Sequence, residues 1–180
     1  MGDSREDRRT GPRTASRDEP YGVLFVCTGN ICRSPMAEVA FRQIAAGVIL
    51  ADGTSLAGRL DIASAGTSGW HAGEEMDPRA RAALDAAGFT GSGTPATQVS
   101  KRGLATVDLA IALDREHLRE LDRIAPLTTR AALLLEWGGP AGVLEVFDPY
   151  YGHTERFTEC LELIVPACRG LADDLAATLG

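Results

Sequence analysis

No stretch of the chain approaches the apolar length needed to span a bilayer, which argues against a transmembrane helix. The first twenty residues carry five Arg, three Asp and two Glu around no apolar centre, so they do not read as a secretory signal peptide. The acidic residues also argue against an organelle transit peptide. Residues 1–19 read instead as a disordered tail, and the cytoplasm is the default location. Positive charge is not in excess. The net charge of −7 disfavours broad affinity for nucleic acid or an anionic membrane, so an anionic substrate needs a local positive site. Cysteine is scarce: Cys27, Cys32, Cys160 and Cys168 are too few for a disulfide framework and read as free or reactive thiols of a reducing compartment. Four residues separate Cys27 from Cys32, there is no second close pair, and the three histidines are scattered, which is not a metal-ligand pattern. No internal repeat is present.

The 180 residues suit one domain, here residues 20–180, with enough apolar sequence for a substantial core. Tyr21 to Val26 is a short apolar run rich in β-formers and reads as a buried strand. Ser34-Pro35-Met36-Ala37-Glu38 opens a helix running to about Ala46, with Ser34 as candidate N-cap, Pro35 at the first helical position and Glu38 in the first turn. Residues 47–60 read as a long connection, Leu60 to Ala65 as a second strand, and Gly66 to Asp77 as an exposed loop holding Trp70 and His71. Pro78 opens a helix that stops at Gly88, and residues 90–97 are loop. Val107 to Leu113 and Ala131 to Leu135 are the third and fourth strands, with a helix over Arg115 to Ile124 between them and Asp114 as its cap. A last helix spans about Thr154 to Leu179, kinked or divided at Pro166. This alternation predicts an α/β fold: a doubly wound, four-stranded parallel sheet with helices on both faces and ligand sites at the carboxyl ends of the strands.

The loop Cys27-Thr28-Gly29-Asn30-Ile31-Cys32-Arg33 lies at such a strand end. A loop wrapped between a strand and a helix start can aim several backbone N–H groups into one concavity, and the helix terminus adds partial positive charge. Arg33 supplies a planar fork for two phosphate oxygens, while Gly29 and Asn30 tolerate left-handed backbone. Such a site stabilises a thiolate at its centre, so Cys27 is the candidate nucleophile for attack on phosphorus. The Ser34 hydroxyl is free either to support that thiolate or to cap the helix. Asp148, in the turn Asp148-Pro149-Tyr150-Tyr151-Gly152, is the candidate general acid for the leaving group and then the base for water.

Val26 to Glu38 resembles the signature of the low-molecular-weight protein tyrosine phosphatases. Ser64 to Trp70, Met76 to Ala80, Ala112 to Asp114 and Asp148 to Gly152 resemble further segments of that family. The resemblance covers residues 21 to about 175. It implies Cys27 as nucleophile, Arg33 as phosphate ligand, Asp148 as acid, Asn30 and Ser34 as organisers of the loop, and Trp70 and Tyr150 as walls of an aromatic slot. Thr28, Gly29, Ile31 and Cys32 complete the substrate-binding set. It also implies Cys32 as the partner of Cys27 in a reversible disulfide, no metal or organic cofactor, a phosphotyrosine protein as substrate, and a monomer or weak homodimer. Two segments depart from the pattern. Residues 47–60 are longer than usual, and Gly93 to Gln98 lacks the His-Arg-x-Arg-Gln in which the family's His supports the serine after the arginine; Thr94 is one candidate for its place.

The remaining reactive residues read as structural. Cys160 and Cys168 are eight residues apart, about 12 Å on a straight helix and too far for a disulfide, and read as core. His71, His117 and His153 read as surface residues, and Tyr151 as a rim residue. Among rival activities, protein-arginine phosphatase relatives tend to carry Thr in place of Ile31, whose bulk favours a flat aromatic over a guanidinium. Arsenate reduction of the thioredoxin-coupled type needs two further relay cysteines, and none lies between Cys32 and Cys160. A non-catalytic phosphate binder is expected to have lost Cys27 or Asp148, and both are present.

Overall fold

The structure, a computed structural model, describes residues 19–126 and 130–180. The expected tail thus lies outside the described residues except for Glu19. Strand β1, Tyr21–Cys27, is buried along its whole length, as expected of a central parallel strand covered on both faces. Strands β2 (Leu60–Gly66), β3 (Leu109–Ala112) and β4 (Arg130–Leu133) complete a parallel sheet in the order β2-β1-β3-β4. Chain order reverses about β1, so the crevice at its carboxyl end is a topological switch point, where open α/β sheets bind ligands.

Helices α1 (Arg33–Ala46), α2 (Pro78–Ala86) and α5 (Thr154–Leu179) bury the face carrying Val23 and Phe25. The single turn α3 (Lys101–Leu104) and helix α4 (Arg115–Ile124) cover the opposite face, against Leu24 and Val26. Helix α1 is buried continuously from Arg33 to Phe41, and the Phe41 ring meets Phe25 edge-on at 5.5 Å. That contact fixes the helix whose first turn ends the Cys27–Arg33 loop.

Several local expectations need correction. The N-cap of α1 is Cys32, not Ser34, because the Ser34 hydroxyl is committed to Cys27. Glu38 falls in the second turn, where it is fully buried. Strands β3 and β4 are shorter than their apolar runs, and a 3₁₀ turn, Leu134–Trp137, takes over the last two residues of the expected fourth strand. The turn α3, capped by Ser100, adds an element between the expected loop and the third strand. Pro166 does not divide α5. The long connection 47–60 folds locally, with an Ile49–Ser55 bridge and a 3₁₀ turn at Leu56–Arg59. One close approach depends on glycine: a Cβ on Gly170 would collide with the Trp137 carbonyl, which packs the 3₁₀ turn against α5.

Candidate active site

Three carbonyls of the Cys27–Arg33 loop are occupied from outside it. Cys27 O, Thr28 O and Ile31 O accept from the N–H groups of Thr67 (2.8 Å), Ser68 (2.9 Å) and Asp77 (2.8 Å). Among the described residues no N–H of residues 28–32 has a protein acceptor. A loop that has carbonyls bound from outside and leaves its N–H donors over is a nest for an anion. Asn30 holds the left-handed conformation that closes the loop, at φ 56°. Gly29 does not; it is small because His71 packs on it, with Cδ2 3.0 Å from where a Cβ would stand.

A directional hydrogen-bond network lies behind the nest. The Asn30 amide donates to Ser34 Oγ at 2.9 Å and to Ser64 Oγ at 2.8 Å, and Asn30 Oδ1 accepts from Thr97 N. Ser64 donates to Glu38 Oε2 at 2.6 Å, and Thr94 Oγ1 donates to the same oxygen at 3.1 Å. Arg42 pairs with the other oxygen of Glu38 at 3.0 Å. Because Asn30 donates to Ser34, the Ser34 proton is free to point at Cys27 Sγ, 3.0 Å away, in preference to Ala65 O at 3.4 Å. Thr94 therefore anchors Glu38, while Asn30, itself held by Ser64, supports Ser34.

Arg33 is buried, and its fork is held on both sides. Nη1 donates to Asp114 Oδ2 at 2.8 Å and to Val146 O at 3.0 Å, and Nη2 donates to Asp148 Oδ2 at 3.1 Å. Asp114 does cap α4, accepting from His117 N, and in addition orients Arg33. Burial works against its charge, but the His117 N–H and Arg33 hold its carboxyl below the ordinary carboxylate range.

The cavity above Cys27 has a volume of about 360 Å³. Cys27, Thr28, Gly29, Ile31, Cys32 and Arg33 form its floor, and Trp70, His71, Asp148, Tyr150 and Tyr151 its wall and mouth. Asn30 and Ser34 lie behind this surface. Cys160 and Cys168 are buried in α5, where burial raises both thiols, that of Cys160 to about 12.

Two histidines differ from their surface reading. His71 lines the mouth, with Nδ1 2.7 Å from Glu74 Oε2 and its ring centroid 6.3 Å from that of Tyr150. His117 is only 1% exposed and bonds Thr28 Oγ1 through Nε2 at 2.9 Å. Its Nδ1 lies 3.0 Å from Asp114 Oδ1, without hydrogen-bond alignment. A ring proton on Nδ1 faces that carboxylate favourably, which leaves Nε2 to accept from Thr28. Burial, and then the charge of Arg33, push His117 down to about 4, so the ring is neutral at physiological pH. His153 is exposed, at the N-cap of α5.

Residues 22–179 match the family described as low molecular weight phosphotyrosine protein phosphatase. The chain is 46% identical over 156 residues to a low molecular weight protein-tyrosine-phosphatase of Streptomyces coelicolor, covering 84% of this chain and 91% of that protein. It is 41% identical over 157 residues to low molecular weight protein-tyrosine phosphatase A of Mycobacterium tuberculosis, covering 86% and 91%. The crystal structure of YfkJ from Bacillus subtilis superposes with a TM-score of 0.78 at 36% identity, covering 91% of this chain and 99% of that one. No helix among the described residues is long and apolar enough to cross a membrane. With this sheet, this loop and these relatives, the chain belongs to the low molecular weight protein-tyrosine phosphatases, a family of hydrolases.

Proposed function

We propose that this enzyme hydrolyses phosphotyrosine in protein substrates through a phospho-cysteine intermediate. The observation that carries the reading is the meeting of Cys27, Arg33 and Asp148 in one cavity, above a loop whose backbone donors have no protein acceptor. The Cys27 thiolate, supported by Ser34, attacks phosphorus in line. The N–H nest and Arg33 bind the three peripheral oxygens and stabilise their charge in the transition state. An incoming phosphate dianion takes over the Nη2 side of the fork and releases Asp148, which takes up a proton from solvent and passes it to the departing phenolate. The same carboxylate then activates the water that cleaves the phosphorus–sulfur bond and frees inorganic phosphate. Ile31, Trp70 and Tyr150 offer apolar surface to a phenyl ring.

Cys32 serves as the redox partner. Both thiols line the same cavity, and burial raises that of Cys32, which keeps it protonated in the reduced enzyme. A peroxide oxidises Cys27 to a sulfenic acid; Cys32 attacks that sulfur, a disulfide forms and water leaves. Free thiols at the active site suit a reducing compartment, the cytoplasm.

The test compares phosphotyrosine and phosphoarginine peptides with the wild type and with Cys27→Ser. The wild type should prefer phosphotyrosine, and Cys27→Ser should turn over neither. Turnover retained in Cys27→Ser removes the mechanism; a preference for phosphoarginine removes the substrate assignment.

A further inference from the structure

Arg79 is the second residue of α2, so its charge faces the positive end of the helix dipole. A cation at that position needs compensation, and it is found on every edge of the guanidinium. Nε and Nη2 bind both oxygens of Asp77, at 3.0 and 2.7 Å. Nη1 donates to Gly152 O at 3.1 Å. The guanidinium carbon lies 4.5 Å from the Phe157 ring centroid and 5.7 Å from that of Tyr150.

These contacts join two segments far apart in sequence. Asp77 N–H donates to Ile31 O inside the phosphate loop. At the other end, Gly152 N bonds Pro149 O and Tyr150 N bonds Asp148 Oδ1, which closes the turn carrying the carboxylate. One guanidinium therefore connects the loop that holds phosphate to the turn that presents the acid.

We propose that Arg79 is a positioning residue for Asp148, holding the turn of residues 148–152 in register with the phosphate loop. The inference rests on the phosphatase reading and extends it. The direct tie between the two segments, Arg33 to Asp148, is the one a bound phosphate displaces. The Arg79 tie ends on the Ile31 carbonyl and engages no N–H of the nest, nor Arg33, nor the nucleophile, so it persists through that exchange and keeps Asp148 within reach of the leaving oxygen.

Arg79→Met keeps an apolar stem over Phe157 and removes the fork, whereas Arg79→Lys keeps the charge alone. Both should lower kcat/KM for phenyl phosphate, a poor leaving group, by about 10–100-fold, as expected of a misplaced acid. The loss on 2,4-dinitrophenyl phosphate, which leaves unaided, should stay below about threefold. Inhibition by inorganic phosphate should not change. Adding Arg79→Met to Asp148→Asn should cost nothing further on phenyl phosphate. Equal losses on both substrates, or weaker phosphate inhibition, would overturn the assignment. Amide hydrogen exchange tests it without activity: the Tyr150 and Gly152 N–H groups should exchange at least about tenfold faster in Arg79→Met. Unchanged exchange would overturn the proposal even if the phosphatase reading stands. A wild type that binds phosphate but hydrolyses no aryl phosphate would instead overturn the phosphatase reading, leaving exchange to decide the Arg79 tie.

Discussion

At the floor of the cavity Cys27 and Arg33, and just behind it Asn30 and Ser34, are all buried, and each side chain is hydrogen-bonded within the fold. At the mouth Trp70 is 82% exposed and Tyr151 95% exposed, and Asp148 carries a side chain 46% exposed. The difference separates two tasks. Binding and cleaving a phosphoryl group needs fixed donors in a site that excludes water, and a buried network supplies them. Accepting a phenyl ring from a protein substrate needs apolar surface open to solvent, which natural proteins otherwise keep small. Changes at the floor and at Asp148 should therefore alter the chemistry, and changes at the aromatic residues of the mouth should alter selection among phosphomonoesters.

The largest effect should follow Arg33→Lys. A lysine keeps the charge but not the fork, and kcat/KM should fall about 10²–10³-fold on every aryl phosphate. A loss confined to peptide substrates would break the division. Asp148→Ala comes next, with about 10²-fold loss on phenyl phosphate and less than about tenfold on 2,4-dinitrophenyl phosphate. Equal losses on both would remove Asp148 from the acid role. Trp70→Ala should raise KM for phosphotyrosine peptides about tenfold and leave kcat within about twofold, because it removes binding surface alone. A fall in kcat of the same size would place Trp70 on the floor's side of the comparison.

The last effect is on stability and not on turnover, and concerns His117, which supports the floor from below. Its folded value near 4 lies below the ordinary 6.5, so between those pH values the unfolded chain binds a proton that the folded chain refuses. Stability is therefore full above about pH 6.5 and declines as pH falls toward 4, by on the order of 2–3 kcal/mol. His117→Asn should flatten that decline, measured as urea midpoints at pH 7 and pH 4.5. An unchanged slope would mean that other groups carry it.

The floor was legible because its parts are contiguous: a strand, six residues and a helix start place Cys27 and Arg33 together whatever the rest of the chain does. The supports of the floor were not, because they arrive from distant segments. Glu38 looked like a first-turn acid, and its bonds to Ser64 and Thr94 depend on how β2 and the following loops pack on α1. His117 touches Thr28 from 89 positions away. One signal was present: His117 and Leu121 are four apart on α4, so the histidine belongs to the buried stripe of that helix. His71 carried no such mark, since a glycine-rich loop has no period to place it. That α5 is not divided at Pro166 was not legible either, because sequence shows the missing N–H of a proline but not the packing around it.

A covalent phosphate at Cys27 is the species that most directly tests the mechanism. Enzyme mixed rapidly with a phosphotyrosine peptide and quenched in acid within milliseconds should carry up to one phosphate per chain, and mass spectrometry of the fragments should place it on Cys27. Asp148→Ala should accumulate more of this species on an activated substrate, because hydrolysis of the intermediate is slowed. Phosphate on another residue, or steady turnover with no covalent phosphate, would contradict the account.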